Sequence, residues 1–357
     1  MSPDTKLDVS VIICAYTEKR WDDLVAAVKS IQQQTVLPGE IIVVIDHNPP
    51  LLERVRQSIA GIVAVENSEC AGLSGARNSG IAVARGSLIA FLDDDAVAEP
   101  DWLAHLVDCC KDPYVLGAGG RVEPYWLERR HAWLPEEFYW VVGCSYRGQP
   151  EKRAVVRNPF GGCMCVRREV FAAVGNFKNN IGRIGTHPMG GEETELCIRA
   201  SQHWPEKSFL YEPEARIHHR IPSARTRWRY FSSRCYAEGL SKALVAADVG
   251  AKDGLASERR YVFSTLPQGV MRGLRDGLWH ADFSSLQRAG AIVAGLSITT
   301  AGFLRGKISL WFATTKTARL FSFARTKNPA MQIFQNVQED KENVAVQVEK
   351  DKLMIES

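Results

Sequence analysis

Four short apolar segments alternate with helix-like stretches over the first hundred residues, and this alternation constrains the fold more than any other feature. The segments read DVSVIICAY, EIIVVID, IVAVEN and GSLIAFLDDD, and helical patterns occupy residues 22–34 and 76–85. Strands that alternate with helices predict an α/β fold with a doubly wound, mainly parallel sheet and helices on both faces. Such a sheet binds its ligands beyond the carboxyl ends of its strands.

Polar and acidic residues stand at three of these strand ends. They are Ala15-Tyr16-Thr17-Glu18 after the first strand, Asp46-His47-Asn48 after the second and Asp93-Asp94-Asp95 after the fourth. Three adjacent carboxylates repel one another and do not belong in an apolar core. They suit a hard divalent cation, which takes oxygen ligands and keeps water or phosphates in its shell. A solvated turn or a helix cap is the alternative interpretation.

Two further motifs support a ligand site. The segment GLSGARNSG, residues 72–80, places glycines before an arginine and an asparagine, as in loops that let the backbone approach a ligand. The segment GGEETELCIRA, residues 190–200, places two glutamates at a predicted helix start. The helix dipole alone would also favour glutamates at that position.

Composition narrows the class of protein. The chain has 357 residues, enough for one large α/β domain with an appendage. A net charge of +3 is too small to predict a nucleic-acid partner. Nine cysteines without a CxxC pair or a zinc spacing indicate a reduced, cytoplasmic chain. The first residues contain no long apolar stretch, so we expect no signal peptide.

The order and spacing of the motifs resemble a known family. VSVIICAYTEKRWDDLVAAVKSIQQQT, EIIVVID, GLSGARNSGIAVARGSLIAFLDDDA and GGEETEL are similar to successive blocks of the family-2 glycosyltransferases with the GT-A fold, and the resemblance covers roughly residues 8–235. It implies a GT-A catalytic domain at residues 1–240 and a nucleotide-sugar donor. It also implies a glycan or a lipid-linked molecule of the cell envelope as acceptor.

The resemblance assigns the donor site residue by residue. It implies Asp46 as the contact of the nucleotide base and Asp95 as the direct ligand of Mg²⁺ or Mn²⁺. Strand alternation places His219 on one face with Ile217 and Ile221, and the resemblance places a histidine near the metal, so we favour His219 over His218 as a second ligand. The positions implied for donor binding are Ala15, Tyr16, Glu18, Asp46, Arg77, Asn78, Asp93 and Asp94.

The chemistry of transfer needs a base as well as a cation. An acceptor hydroxyl loses its proton as it attacks the anomeric carbon, which calls for a carboxylate. The resemblance implies a Glu-Asp pair for this role, and here the pair reads Glu192-Glu193. We predict Glu193 as the base and Glu192 as its neighbour in acceptor or sugar binding. One direct displacement inverts the anomeric centre.

The segment ARTRWRYFSSRCYAEG resembles the QxxRW block of processive members but departs from it. Ala224 replaces the glutamine, while Arg227 and Trp228 remain. This difference favours the addition of one or a few sugars over polymer extrusion. The arginines of the segment would suit a diphosphate or a lipid phosphate.

The last third of the chain predicts a helical region at 241–330 and a polar, disordered tail at 331–357. Residues 283–338 contain no acid, seven Lys or Arg and several aromatics. This pattern favours helices that lie on an anionic membrane through residues 283–327, at the inner face of the cell membrane. The uncharged stretch 289–304 is too short to span comfortably. A packed subdomain or a partner interface is the alternative.

Two other function classes remain open at this stage. A metal-dependent nucleotidyltransferase would share the acidic strand ends, but it would usually carry a glycine-rich, basic phosphate loop after the first strand, where this chain has AYTEKRWDD. A catalytically inactive nucleotide-sugar-binding protein would be expected to lack either the aspartates or the base.

Overall fold

The computed structural model describes residues 7–179, 181–183, 189–250 and 260–319. The predicted tail at 331–357 and residues 320–327 of the predicted membrane segment lie outside the described residues.

The described residues form nine strands and nine α-helices. The strands are β1 (Leu7–Ala15), β2 (Pro38–Ile45), β3 (Val63–Glu66), β4 (Leu88–Asp93), β5 (Ala96–Ala98), β6 (Val115–Trp126), β7 (Ala154–Val156), β8 (Cys163–Arg167) and β9 (Ser208–Ile221). The helices are α1 (Trp21–Gln32), α2 (Pro49–Ser58), α3 (Leu73–Val83), α4 (Trp102–Cys109), α5 (Arg168–Val174), α6 (Glu192–His203), α7 (Trp228–Val249), α8 (Leu266–Trp279) and α9 (Phe283–Arg319).

All nine strands belong to one sheet, in the order β3-β2-β1-β4-β8-β6-β9-β5, with β7 paired to β9. The first four strands pair in parallel, as the alternation predicts. Beyond β4 the sheet is mixed, because β8 runs antiparallel to both of its neighbours and β5 runs antiparallel to β9. The parallel half brings the carboxyl ends of β1, β2 and β4 to one edge, where the polar strand ends meet.

Apolar layers cover both faces of this sheet. Ile13 packs in one buried cluster with Leu24 of α1, and Ile12 packs in the other with Ala76 of α3. Both isoleucines are fully buried, and burial of each such side chain contributes about 1.5–3 kcal/mol. The predicted helices on both faces are therefore present.

Helices α7, α8 and α9 form the predicted helical appendage. Helices α7 and α9 approach so closely that a Cβ atom at Gly239 would lie 2.6 Å from the backbone nitrogen of Phe303. Glycine permits this contact because it has no side chain. The predicted domain boundary at 240 falls inside α7, which continues to Val249.

Helix α9 is the one described helix that is long and apolar enough to cross a membrane, over Phe283–Phe312. This property rests on length and composition alone, and a core helix can share it. The uncharged stretch 289–304 is part of this longer helix, so the apolar segment is longer than the sequence pattern predicts.

Candidate active site

A cavity of about 760 Å³ opens at the carboxyl ends of β1, β2 and β4. The starts of α3 and α6, the loop at 157–162 and parts of α7 and α9 complete its wall. Of the residues predicted for the site, the cavity is lined by Ala15, Tyr16, Asp46, Arg77, Asp93, Asp94, Asp95, Glu192, Glu193 and His219.

The acidic cluster forms where β4 turns into β5. Strand β5 pairs with β9 in a register that sets Ala96 opposite His219. The ring Nε2 of His219 consequently lies 3.1 Å from Oδ1 of Asp95. One ligand atom from each of Asp93, Asp95 and His219 falls within 4.8 Å of the others. The pairing of β5 with β9, which are distant in sequence, therefore brings His219 next to the aspartates. Together the three residues form a set of possible metal ligands.

Arginines from two short 3-10 helices neutralise this cluster. Arg20 lies 2.6 Å from Asp94 and 3.2 Å from Asp95. Arg225 lies 3.4 Å from Asp95. Burial would raise the pKa of Asp95, but His219 and the two arginines hold it well below its usual range. Burial would likewise lower the pKa of His219, yet the Asp95 carboxylate raises it to about 10.

Asp94 differs from Asp95 in the direction of its pKa shift. Burial and the charge of Asp95 raise the pKa of Asp94 to about 7, although Arg20 opposes the shift. Its Oδ2 atom is buried and has no hydrogen-bond partner. A buried carboxylate oxygen without a partner costs free energy unless a ligand completes its contacts.

The cluster fits a divalent cation. Two carboxylates and an imidazole are ligands of the kind that Mn²⁺ and related ions accept, and Mg²⁺ takes the carboxylates. The carboxylate of Asp93 is partly open to the cavity, with 41% of its side chain exposed. Binding of an ion to His219 would release the proton that the raised pKa retains.

Asp46, the residue predicted to contact the nucleotide base, is held in place by hydrogen bonds from the protein. Asn67 donates a hydrogen bond to its Oδ1 at 2.6 Å, and the backbone nitrogen of Gly72 donates to its Oδ2 at 2.9 Å. Tyr16 stands at the cavity with its ring 40% exposed, and Arg20 lies over that ring at 5.2 Å. These contacts fix the carboxylate of Asp46 beside the partly exposed side chain of Tyr16.

Two of the assigned residues lie outside the cavity wall. The amide of Asn78 is buried and bonds to Glu69 and to the backbone of Phe177. Glu18 is half exposed and lies 4.0 Å from Arg54. Neither residue lines the cavity in the described part of the chain. Both assignments stay predictions that the geometry does not support.

Arg77 connects the acidic cluster to the glutamate pair. It is almost fully buried, lies 3.0 Å from Oε1 of Glu192 and lies 3.7 Å from Oδ1 of Asp93. Burial would lower the pKa of Arg77, but the charges of Glu192 and Asp93 raise it. A permanent positive charge therefore stands between the two groups of carboxylates.

The two glutamates differ in their surroundings. Helix α6 begins at Glu192, directly after Gly191 in a left-handed conformation with φ of 99°. Burial and the charge of Glu192 raise the pKa of Glu193 from an ordinary 4.5 to about 8, although Arg77 lowers it. Glu192 is buried, and its Oε2 atom has no hydrogen-bond partner. Glu193 therefore has the proton affinity of a group that can accept a proton near neutral pH.

The sequence patterns missed several residues of this site. Arg20 belongs to the segment AYTEKRWDD, which has no glycine-rich phosphate-binding pattern, and Arg225, next to the retained Arg227, reaches the acidic cluster. Gly162 abuts Asp93 so closely that a Cβ atom there would overlap its carboxylate. The GG pair before strand β8 was a detectable signal for this contact. The richness of residues 224–239 in arginine indicated a phosphate partner but did not distinguish Arg225, and no local pattern marks Arg20.

Comparison with known proteins identifies the class. The model of the family described as glycosyl transferase family 2 matches residues 10–175. A glucosyl-dolichyl phosphate glucuronosyltransferase of Haloferax volcanii is 35% identical over 243 residues, which cover 67% of this chain and 77% of that protein. The succinoglycan biosynthesis protein ExoM of Rhizobium meliloti is 23% identical over 277 residues, covering 71% of this chain and 84% of that protein.

A solved structure supports the fold. The mannosyltransferase of Pyrobaculum calidifontis, in complex with GDP-Man and Mn²⁺, superposes with a TM-score of 0.53 at 14% identity, covering 83% of this chain and 88% of that chain. The fold and the site thus define a glycosyltransferase of the GT-A class, with a nucleotide-sugar-binding fold. The chain belongs to glycosyl transferase family 2.

Proposed function

We propose that the chain transfers one sugar from a nucleoside diphosphate sugar, with UDP as the favoured nucleotide, to a hydroxyl of a lipid-linked or cell-envelope glycan. The transfer inverts the anomeric centre and is not processive. The observation that carries the proposal is the meeting of Asp93, Asp95 and His219 with Glu192 and Glu193 in one cavity.

The donor half of the site handles charge. Asp93, Asp95 and His219 would hold Mg²⁺ or Mn²⁺, which when bound neutralises the charge that grows on the departing diphosphate. Arg20 and Arg225 add fixed positive charge at the same place. Tyr16 offers an aromatic face to the nucleotide base, and the oriented carboxylate of Asp46 offers an acceptor for a base N–H.

The acceptor half of the site handles the proton. Glu193 takes the proton of the acceptor hydroxyl while the oxygen bonds to the anomeric carbon. The bond between the sugar and the diphosphate breaks in the same step, and the electron pair leaves with the diphosphate. Glu192 is held by Arg77, so it positions the sugar or the acceptor. One displacement at one carbon inverts its configuration.

Two observations support a lipid-linked acceptor. The name of the Haloferax volcanii protein includes a glucosyl-dolichyl phosphate, which is a lipid-linked sugar. In this chain the cavity wall includes Phe138, Leu296 and Phe303 together with the basic Arg234. An apolar wall beside a guanidinium suits a molecule with a lipid chain and a phosphate. Such an acceptor is consistent with an enzyme attached to the inner face of the cell membrane.

A donor screen tests the proposal. We would measure release of product nucleotide from UDP-sugars and GDP-sugars, with Mn²⁺ or Mg²⁺, and with or without a lipid extract as acceptor. We expect release from a UDP-sugar that increases with the lipid extract, and NMR of the product glycoside should show inversion. Pyrophosphate release from a free nucleoside triphosphate would instead identify a nucleotidyltransferase, and nucleotide binding without turnover would identify an inactive binding protein.

A further inference from the structure

A row of large apolar side chains faces outward on helix α8 and on the helical turn Tyr261–Thr265 that precedes it. Phe263 is 80% exposed, Met271 67% and Leu278 72%. Leu274 stands between the last two on the same helical face, because residues three and four apart lie on one side of a helix. Soluble proteins seldom leave so many large apolar residues exposed on one helix face.

The packing of α8 against α9 fixes this orientation. Gly269, Gly273 and Gly277 recur every four residues and face α9. A Cβ atom at Gly273 would lie 2.7 Å from the backbone oxygen of Ser285, so the two helices touch along the glycine row. The large residues must then point away from the protein. The outward row is therefore built into the helix pair and is not the result of a loosely attached helix.

The turn after α8 and the basic residues of α9 extend this surface. Trp279 and Phe283 are both at least 70% exposed and lie at the end of the row. Residues 263–283 contain two Arg and two Asp, so this face has no net charge of its own, and the excess of basic residues over 260–319 comes from Arg260 and from α9. Exposed apolar and aromatic residues bind the interface of a bilayer, and the basic residues of the neighbouring helix α9 favour an anionic one.

The opposite side of the same segment lines the catalytic cavity. Tyr261, Val262 and Leu266 belong to the cavity wall, while Phe263 between them points outward. A surface that contacts a bilayer here would place the cavity wall within one helix diameter of the lipid, about 10 Å. A lipid-linked acceptor could then reach the glutamates without leaving the membrane completely.

We propose that the outward face of residues 263–283 docks the enzyme on an anionic lipid bilayer and presents the cavity to lipid-linked acceptors. This face lies mostly before the segment 283–327 to which the sequence patterns assigned membrane contact. Helix α9 is packed against α7, which carries Arg234, Glu238 and Lys242 along the cavity. Ionic groups are expensive in hydrocarbon, so α9 stays with the protein and docking replaces spanning. The inference rests on the proposed function only for the identity of the acceptor.

Vesicle sedimentation with the full chain tests the inference. The probe is a vesicle of phosphatidylcholine with about one third phosphatidylglycerol, compared with phosphatidylcholine alone. We expect binding to the anionic vesicles, release by alkaline carbonate, and about a tenfold or greater loss of binding in Met271→Glu and in Leu278→Glu. Tyr114→Glu changes a comparably exposed residue, directly before β6 and outside the α8 face, and should bind like the wild type.

Several results would overturn the inference. They are failure of the wild type to bind anionic vesicles, unchanged binding of both α8 variants, or retention of the wild type after carbonate. A concentration-dependent dimer that Leu278→Glu abolishes in light scattering, without vesicle binding, would assign the face to a second copy instead. Transfer to a detergent-solubilised acceptor should persist in Leu278→Glu. Absence of transfer by the wild type, with the expected vesicle binding, would refute the proposed function and leave the docking face intact.

Discussion

Arg77 and Glu192 form a buried ion pair with 3.0 Å between Nη1 and Oε1, and this pair links the donor cluster to the glutamates. Both side chains are almost completely buried. Removal of either partner would leave the other buried charge unpaired. It would also disturb both the donor and the acceptor half of the site.

We expect Arg77→Met to lower the free energy of unfolding by about 3–5 kcal/mol, since it leaves Glu192 buried without its partner. The double variant Arg77→Met with Glu192→Leu should recover much of that loss, because it removes both charges. Urea denaturation of the two single variants and the double variant measures this coupling. A double variant as unstable as the sum of the single ones would show that the pair contributes nothing to stability.

We expect Asp95→Asn to keep the fold and to lose most turnover, because the cation would lose a charged ligand. Calorimetry with Mn²⁺ and UDP should show weakened, metal-dependent binding of the nucleotide. Asp108→Asn changes an exposed carboxylate that pairs with Lys111 and Arg153, and it should behave like the wild type. Full activity of Asp95→Asn, or of the wild type in excess EDTA, would contradict the metal assignment.

We expect Glu193→Gln to bind donor nucleotide normally and to lose transfer by about a hundredfold or more, the usual effect of removing a general base. Single-turnover transfer and nucleotide binding measured on the same preparation separate the two effects. Glu192→Gln is the comparison at the neighbouring carboxylate, and its stability is measured alongside because it also breaks the pair with Arg77. A large loss of transfer in Glu192→Gln with little loss in Glu193→Gln would exchange the roles of the two residues.

The raised pKa of Glu193 predicts two pH effects. Because the base must be ionised, kcat/KM should rise with pH until about 8, and the residual activity of Glu193→Gln should lack that rise. The protonated form also favours the folded state, so its contribution is present below an ordinary pKa of 4.5 and is lost as the pH rises through 8. Glu193→Gln should therefore raise the melting temperature, relative to wild type, more at pH 9 than at pH 5. An equal change at both values would refute the assigned pKa direction.

We expect Gly162→Ala to displace the carboxylate of Asp93, because the new Cβ atom would overlap it. The variant should lose metal-dependent nucleotide binding while it keeps its secondary structure in circular dichroism. Gly290→Ala is the control, since a Cβ atom there meets no other atom within 4 Å. In a helix interior this control change should stabilise the protein by about 0.5–1 kcal/mol. Normal nucleotide binding by Gly162→Ala would show that the loop yields to the methyl group.

Local patterns were sufficient for the parallel half of the fold. Ile12 and Ile13 belong to an apolar run whose length and flanking polar residues indicate a buried strand. The end of such a run in the sequence also indicates where the strand ends. Helix α2 was missed because it opens with Pro49-Pro50, which resembles a turn, although Asn48 caps it by accepting a hydrogen bond from the backbone nitrogen of Leu51 at 3.1 Å.

Nonlocal contacts were not accessible in the same way. The distance between Asp95 and His219 depends on the register of β5 with β9, which are more than a hundred residues apart. Arg20 and Arg225 reach the cluster from short 3-10 helices, Glu18–Arg20 and Ser223–Thr226, which are too short to leave a periodic pattern. The change from a parallel to a mixed sheet after β4 also depends on which strands become neighbours, and pairing of distant strands leaves no mark in a single strand's sequence.

Helix α7 serves two structures at once. One side carries Arg234, Glu238 and Lys242 along the reaction chamber, and the other presents Gly239 to α9 at backbone contact. A fragment that stops at residue 240 would cut this shared helix and leave the chamber with a missing wall. For the same reason, an exchange of the C-terminal region between related enzymes would also replace residues of the cavity wall.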